Sequence, residues 1–292
     1  MPYLRKYFIV IISILFSFSC SKDGSNPTKP DTTIKKSSKR GISYDLKEAA
    51  DFSVLKNGVS WWYNWYFKTD ANENYYSDYH MEFIPMLWGG NISDTDITKV
   101  KSFIGVHPEI KYLLVMNEPN LTDQANRTPQ QAANDWLKYE KIVSDLATQN
   151  RTIYLVGPAI TWGTMANYSD PIIWLDAFYE AYKSANGGRE PKIDYLAFHW
   201  YDYGLSSQLD RLQKYGKQIW VTEMANWNSQ ITSYQKQAEQ MKEMVAICES
   251  RDDVYRYAWF IGRGAENKYT NLFNANSGEL NDLGKYYLTL PY

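Results

Sequence analysis

The chain has 292 residues and a formal net charge of −2, with 16% aromatic residues, including 11 Trp and 25 Tyr. That length suits one large α/β domain or two small ones. Acidic and basic residues are interspersed, which excludes the clustered basic face of a nucleic-acid-binding protein.

The N-terminus reads as an export signal. Arg5 and Lys6 precede an apolar run from Tyr7 to Phe18, short of the ~20 residues of a membrane-spanning helix but suited to a signal-peptide core. It ends in Ser17-Phe18-Ser19-Cys20, which resembles a bacterial lipoprotein signal whose cysteine becomes the lipidated first residue. Residues 1–20 are thus expected to be a signal peptide. Residues 21–38, rich in Ser, Thr, Lys and Pro, are expected to form a flexible linker spanning roughly 20–25 Å. The expected folded domain is residues 39–292, a monomer that meets the membrane only through the lipid on Cys20. The other cysteine, Cys248, shares a helical stripe with Ala238, Met241 and Val245, so it reads as a buried thiol and no disulfide framework is available.

From Lys39 onward, strand-like and helix-like stretches alternate. The strand candidates are Gly41–Tyr44, Val59–Trp65, Glu82–Trp88, Tyr112–Asn117, Ile153–Gly157, Tyr195–Tyr201, Gln218–Glu223 and Arg256–Ile261. Most are short apolar runs without clean alternation, as expected of parallel strands covered on both faces. Pro85 makes the third irregular, because proline removes a ladder donor. Thr128-Pro-Gln-Gln131 is a capping box, followed by Ala133, Trp136, Leu137, Glu140 and Val143 on one side of a helix. Asp170-Pro171 opens a helix carrying Leu175, Phe178 and Tyr182, which Asn186-Gly-Gly188 closes. Thr232 with Gln235 opens the helix carrying Cys248. Eight such βα units in about 255 residues match a single (β/α)8 barrel, an α/β fold of ~250 residues.

In such barrels the site lies at the C-terminal ends of the strands. Those ends supply Trp65, Trp88, Asn117, Glu118, His199, Tyr201, Glu223 and Trp259, and the loops add Trp162 and Trp227. Trp136, Trp174 and Trp220 are left to packing. Glu118 and Glu223 each sit at the tip of an apolar strand, and two such carboxyls facing each other suit hydrolysis of a glycosidic bond. Repulsion between them is expected to keep one protonated. Strict alternation puts Val221 inward with Glu223, and Trp220 and Thr222 toward the helices. It also puts His199 and Tyr201 in the site and Trp200 in the core. Asn117 and Glu118 are neighbours, so both face the site only if the strand ends or bulges there. His80 and His107 fall near the N-terminal ends of strands, and neither belongs to a metal-ligand cluster. No cofactor motif is present, so neither a metal nor a cofactor is expected.

Together, Val59-Ser-Trp-Trp-Tyr-Asn-Trp65, Ile84-Pro-Met-Leu-Trp-Gly89, Asn117-Glu-Pro119, Asp194-Tyr-Leu-Ala-Phe-His-Trp-Tyr201 and Ile219-Trp-Val-Thr-Glu223 resemble glycoside hydrolase family 128, also described as the Asl1-like glycosyl hydrolase catalytic core. The resemblance runs from Lys39 to the C-terminus. It implies retaining hydrolysis of β-1,3-glucan, with Glu118 as acid/base, Glu223 as nucleophile and Asn117 on the sugar 2-hydroxyl. His199, Tyr201, Tyr63, Asn64, Trp65, Trp88, Trp227 and Trp259 are then expected to bind a polysaccharide or oligosaccharide. Asn120 stands where the family commonly has Asp. Two alternatives remain: the same chemistry on another β-glucan or a mannan, or a surface lipoprotein that binds glucan without cleaving it.

Overall fold

The computed structural model describes residues 35–72, 74–264 and 269–292. The expected signal peptide, Cys20 and the linker up to residue 34 lie outside the described residues. Nine short strands form one parallel sheet: β1 Arg40–Ser43, β2 Trp61–Tyr63, β3 Glu82–Phe83, β4 Met86–Leu87, β5 Tyr112–Val115, β6 Tyr154–Ile160, β7 Tyr195–Trp200, β8 Ile219–Met224 and β9 Val254–Trp259. Between and after them run α1 Ala49–Leu55, α2 Tyr75–Tyr79, α3 Asp94–Val106, α4 Pro129–Ala147, α5 Pro171–Ala185, α6 Leu205–Leu212, α7 Tyr234–Ser250 and α8 Asp282–Thr289. None of the described helices is long and apolar enough to cross a membrane.

The strand order is β3-β2-β1-β9-β8-β7-β6-β5-β4, so the two ends of the sheet are neighbours in the chain, separated only by Ile84-Pro85. Ile84 donates its N–H to Trp62 on one side, and the carbonyl of Pro85 accepts from Leu114 on the other. The chain thus changes partner at the residue that has no N–H to give. The irregular third strand is this handover, and the curled sheet is an α/β barrel-like fold.

Two apolar layers result. Trp61, Tyr63, Met86, Leu114, Val156, Ala197, Trp220 and Ala258 pack together inside the curled sheet. Trp62, Leu113, Val115, Phe198, Val221 and Trp259 pack outside it with the helices. Alternation along β2 thus sends adjacent tryptophans to opposite faces. At the N-terminal end of the sheet, the Arg256 guanidinium lies over Trp61, Tyr112, Trp220 and Tyr255 and pairs with Glu82 at 2.6 Å. His80 lies beside it.

The capping box at Thr128 and the Asp170 cap form as the sequence predicts. Cys248 is a buried free thiol on α7. Three expectations need correction. The α7 cap is Ser233, whose hydroxyl takes the N–H of Lys236, so the helix opens one residue later than Thr232 implies. Leu137 is exposed, because the buried stripe of α4 runs through Trp136, Tyr139, Ile142 and Leu146 instead. The last strand spans Val254–Trp259, two residues earlier than expected at each end. Lys35–Tyr292 form one compact unit. The ammonium of Lys36 donates to the carbonyls of Lys56, Val59 and Tyr79, and burial pulls it down to about 8.

Candidate active site

β5 stops at Val115, and the next residues turn sharply. Met116 and Glu118 both adopt left-handed conformations, with φ of 59° and 44°, which are uncommon for side chains of this size. Backbone bonds hold the turn: Asn117 N–H to Trp88 O and Glu118 N–H to Ala159 O, each 2.8 Å. A regular strand would send Asn117 and Glu118 to opposite faces. This turn lets both line the same cleft.

β8 solves the same problem differently. Phe198 pairs with Val221 but His199 pairs with Glu223, so Thr222 is an extra residue, a bulge. Trp220 and Glu223 therefore both point inward, and Val221 packs against the helices. The expected inward Val221 and outward Trp220 are reversed, because strict alternation fails at a bulge. Trp200 is a core residue, as alternation along β7 predicts.

Glu223 is held from several sides. Its Oε1 accepts from the Tyr63 hydroxyl at 2.8 Å and the Trp65 indole N–H at 2.7 Å. Its Oε2 accepts from the Tyr201 hydroxyl and lies 3.4 Å from His199 Nδ1. Among the described residues Glu118 has one close side-chain partner, the same His199 Nδ1 at 2.8 Å. The imidazole is fully buried and is shared by the two carboxyl groups. Burial disfavours its charged form, but Glu223 and Glu118 together outweigh that and raise its pKa above the ordinary 6.5. Burial, reinforced by the charge of Glu223, pushes the phenols of Tyr63 and Tyr201 well above their usual range, so both remain donors.

One ligand atom each from Glu118, His199 and Glu223 lies within 4.8 Å of the others. Among the described residues this group has the spacing to hold a metal ion. Hydrogen bonds already account for it, however: both oxygens of Glu223 face donors, and the Nδ1 of His199 is taken by Glu118.

The pair forms the floor of a cleft of about 910 Å³, walled by Trp65, Trp88, Trp162, Trp227, Tyr201 and Phe260. Trp88, Trp162 and Trp227 are between 37% and 46% exposed and line one cleft, the kind of exposed apolar surface that marks a binding groove. Trp227 stacks on Tyr201 at 4.0 Å, and Phe260 meets both edge-on. Asn117 donates to Gln124 and keeps an unpartnered, buried Oδ1. Asn120 is buried below the site, where its amide donates to Thr161 O at 2.6 Å, a bond that the carboxylate of an Asp cannot make.

The structure does not bring two expected binding residues to the cleft. Trp259 faces the helices and donates its indole N–H to Thr270 O, and Phe260 takes its place in the wall. Ala258 faces the inside of the sheet, so alternation along β9 sends Tyr257 and Trp259 to the helices and leaves Phe260 toward the cleft. Asn64 donates to Asp45 and Lys68 O and accepts from Tyr66 N–H, so it shapes its own loop. Tyr63 is in the site but fully buried beneath Glu223. Sequence reasoning missed Asp123, Gln124, Thr161 and Thr164, cleft residues on loops with no periodic signal to mark them.

A family model described as a glycosyl hydrolase catalytic core matches residues 41–287. The chain is similar to a crystallised GH128 (subgroup II) endo-β-1,3-glucanase from Pseudomonas viridiflava, with 52% identity, a TM-score of 0.83, and coverage of 88% of this chain and 100% of that one. It is also similar to a GH128 (subgroup II) endo-β-1,3-glucanase from Sorangium cellulosum, with 30% identity, a TM-score of 0.72, and coverage of 87% and 98%. Alkali-sensitive linkage protein 1 of Schizosaccharomyces pombe is 28% identical over 268 residues. That match covers 87% of this chain but 45% of the relative, so the chain spans less than half its length.

Proposed function

The chain belongs to glycoside hydrolase family 128 within the glycosyl hydrolase catalytic core, and on that footing we propose that it cleaves internal β-1,3 linkages of glucan with retention of configuration. The observation that carries this reading is the pair of carboxyl groups, with oxygens within 4.8 Å of each other on the floor of an aromatic cleft. Retaining enzymes need a separation of ~5–5.5 Å, whereas inverting ones need ~6.5–9.5 Å to admit water. The whole fold then counts as a (β/α)8 barrel, with β3 and β4 as the two halves of one strand.

In this mechanism, Glu223, whose oxygens accept from several donors, is the nucleophile. It attacks the anomeric carbon while Glu118 gives its proton to the departing oxygen. The glycosyl–Glu223 ester is then opened by water, whose proton goes to Glu118, and the second inversion restores the β configuration. Asn117 would meet the sugar 2-hydroxyl, and Trp65, Trp88 and Trp227 would stack on glucosyl rings. A ring of aromatics suits the curved β-1,3 chain better than the flat β-1,4 ribbon. The test is hydrolysis of laminari-oligosaccharides against cello-, gentio- and manno-oligosaccharides of equal length, with the first-formed anomer read by NMR. Preference for any of the other three series, or an α-anomer first, overturns the assignment.

We also propose export and lipidation at Cys20, from the charged and apolar segments before it. Cys20→Ala should move the protein from membrane to soluble fractions without changing specific activity. Recovery of the wild type entirely in the soluble fraction would sink the anchor.

A further inference from the structure

Trp162 stands on the loop between β6 and α5, half-exposed to the cleft, yet it is fixed from outside the cleft. Its indole N–H donates to Gln208 Oε1 at 3.0 Å, and the Arg211 guanidinium lies over its ring at 5.4 Å. Arg211 also donates to Gln208 Oε1 at 3.2 Å, and its Nη2 spans both carboxylate oxygens of Asp170 at 2.8 and 2.6 Å. Asp170 in turn caps α5 by accepting the N–H of Ile172. Gln208 and Arg211 lie on α6, whose Leu205, Leu209 and Leu212 are buried and fix the helix.

The consequence is geometric. With its N–H taken and one face covered by Arg211, the indole has a single free face to offer, the kind of surface on which a sugar ring stacks. Its loop is tied to the loop that follows Glu118: Thr122 bonds to Thr164, and Asn120 bonds to Thr161 O. The nucleophile side of the cleft, by contrast, is built around Trp65. Trp162 therefore stands on the acid's side, where the leaving group departs.

We propose that α6, through Gln208 and Arg211, holds Trp162 as a preset platform for a glucosyl unit on the leaving-group side, so that two residues outside the cleft set the preference for chain length. The inference rests on the glucanase reading above. Ordering a free side chain upon binding costs roughly two- to tenfold in affinity, and a platform fixed beforehand avoids that loss.

The test compares laminari-oligosaccharides of increasing length with a nitrophenyl laminarioside that carries no sugar on the leaving side. Gln208→Leu and Arg211→Met should raise KM for the long oligosaccharides about two- to tenfold. Their kcat, and all parameters for the nitrophenyl substrate, should stay unchanged. Gln208→Glu keeps an acceptor for the indole N–H and should restore the wild-type KM. In a Trp162→Ala background neither variant should add to the defect. If Arg211→Met folds poorly, the Gln208 series decides alone. A loss shared by the nitrophenyl substrate, or one that adds to Trp162→Ala, overturns the clamp while leaving the glucanase reading intact. A wild-type enzyme inactive on every β-1,3 substrate overturns that reading and the clamp with it.

Discussion

At the scale of single residues, the two glutamates differ in what surrounds them. Glu223 sits among the fixed donors of Tyr63, Trp65 and Tyr201, whereas among the described residues Glu118 bonds to His199. On the proposed roles, many fixed donors orient the nucleophile, while the acid is left free to meet the leaving oxygen. Glu223→Ala should therefore abolish turnover, and added azide, entering from the vacated face, should yield the α-glycosyl azide. Glu118→Ala should slow substrates with poor leaving groups by about 10²–10⁴-fold, spare activated aryl substrates, and give the β-azide. Product analysis by NMR checks both, and interchanged products would reverse the two roles. His199 adds a pH signature. Its folded-state pKa lies above the unfolded value, so between the two the native state binds the extra proton. Its stabilisation is therefore complete below about pH 6.5 and lost as pH rises through the folded value. Denaturant unfolding of wild type and His199→Asn should show a larger difference near pH 5.5 than near pH 9. A constant difference would mean that the two carboxylates do not hold that proton.

At the scale of elements, the site depends on departures from regular structure. β5 ends in two left-handed residues and β8 carries a bulge, and without them Asn117, Glu118 and Glu223 would not share one floor. The β6–α5 loop packs against the loop that follows Glu118. Gly163 packs so closely that a Cβ there would lie 2.1 Å from the carbonyl oxygen of Asn120. Gly163→Ala must push the loop after Glu118 away from its seat. It should lower kcat/KM about tenfold or more and destabilise the fold by about 1–3 kcal/mol, an overpacking cost. Kinetics and denaturant titration read the two effects. An unchanged kcat/KM would show that the loop does not position the acid. Strand patterning made the existence and order of these elements legible. The apolar runs from Glu82 to Trp88 and from Tyr195 to Tyr201 needed no tertiary knowledge. Their phase was less legible: one extra residue, Thr222, reversed Val221 and Trp220, and regular alternation along β9 turned Trp259 to the helices and left Phe260 in the cleft.

For the molecule as a whole, the first strand and the last helix are locked together. Arg40 is buried and donates to Tyr257, Tyr287 O and Leu290 O, while the Tyr287 hydroxyl donates to Gly41 O. That closure joins segments more than 240 residues apart in the chain. What the sequence alone determined was the alternation of parallel strands and helices, the pair of glutamates at two strand tips, the tryptophans near them and the family they resemble. Each is a local pattern, set by residue type and spacing along a few turns of chain. Which of those side chains share one cleft was decided only by the tertiary structure. Asn64 and Trp259 turned away, Phe260 and the β6–α5 loop turned in, and His199 came to lie between both carboxyl groups. A strand's pattern shows which faces are apolar. The direction its last residue points depends on bulges, chain ends and contacts with segments far away in the sequence.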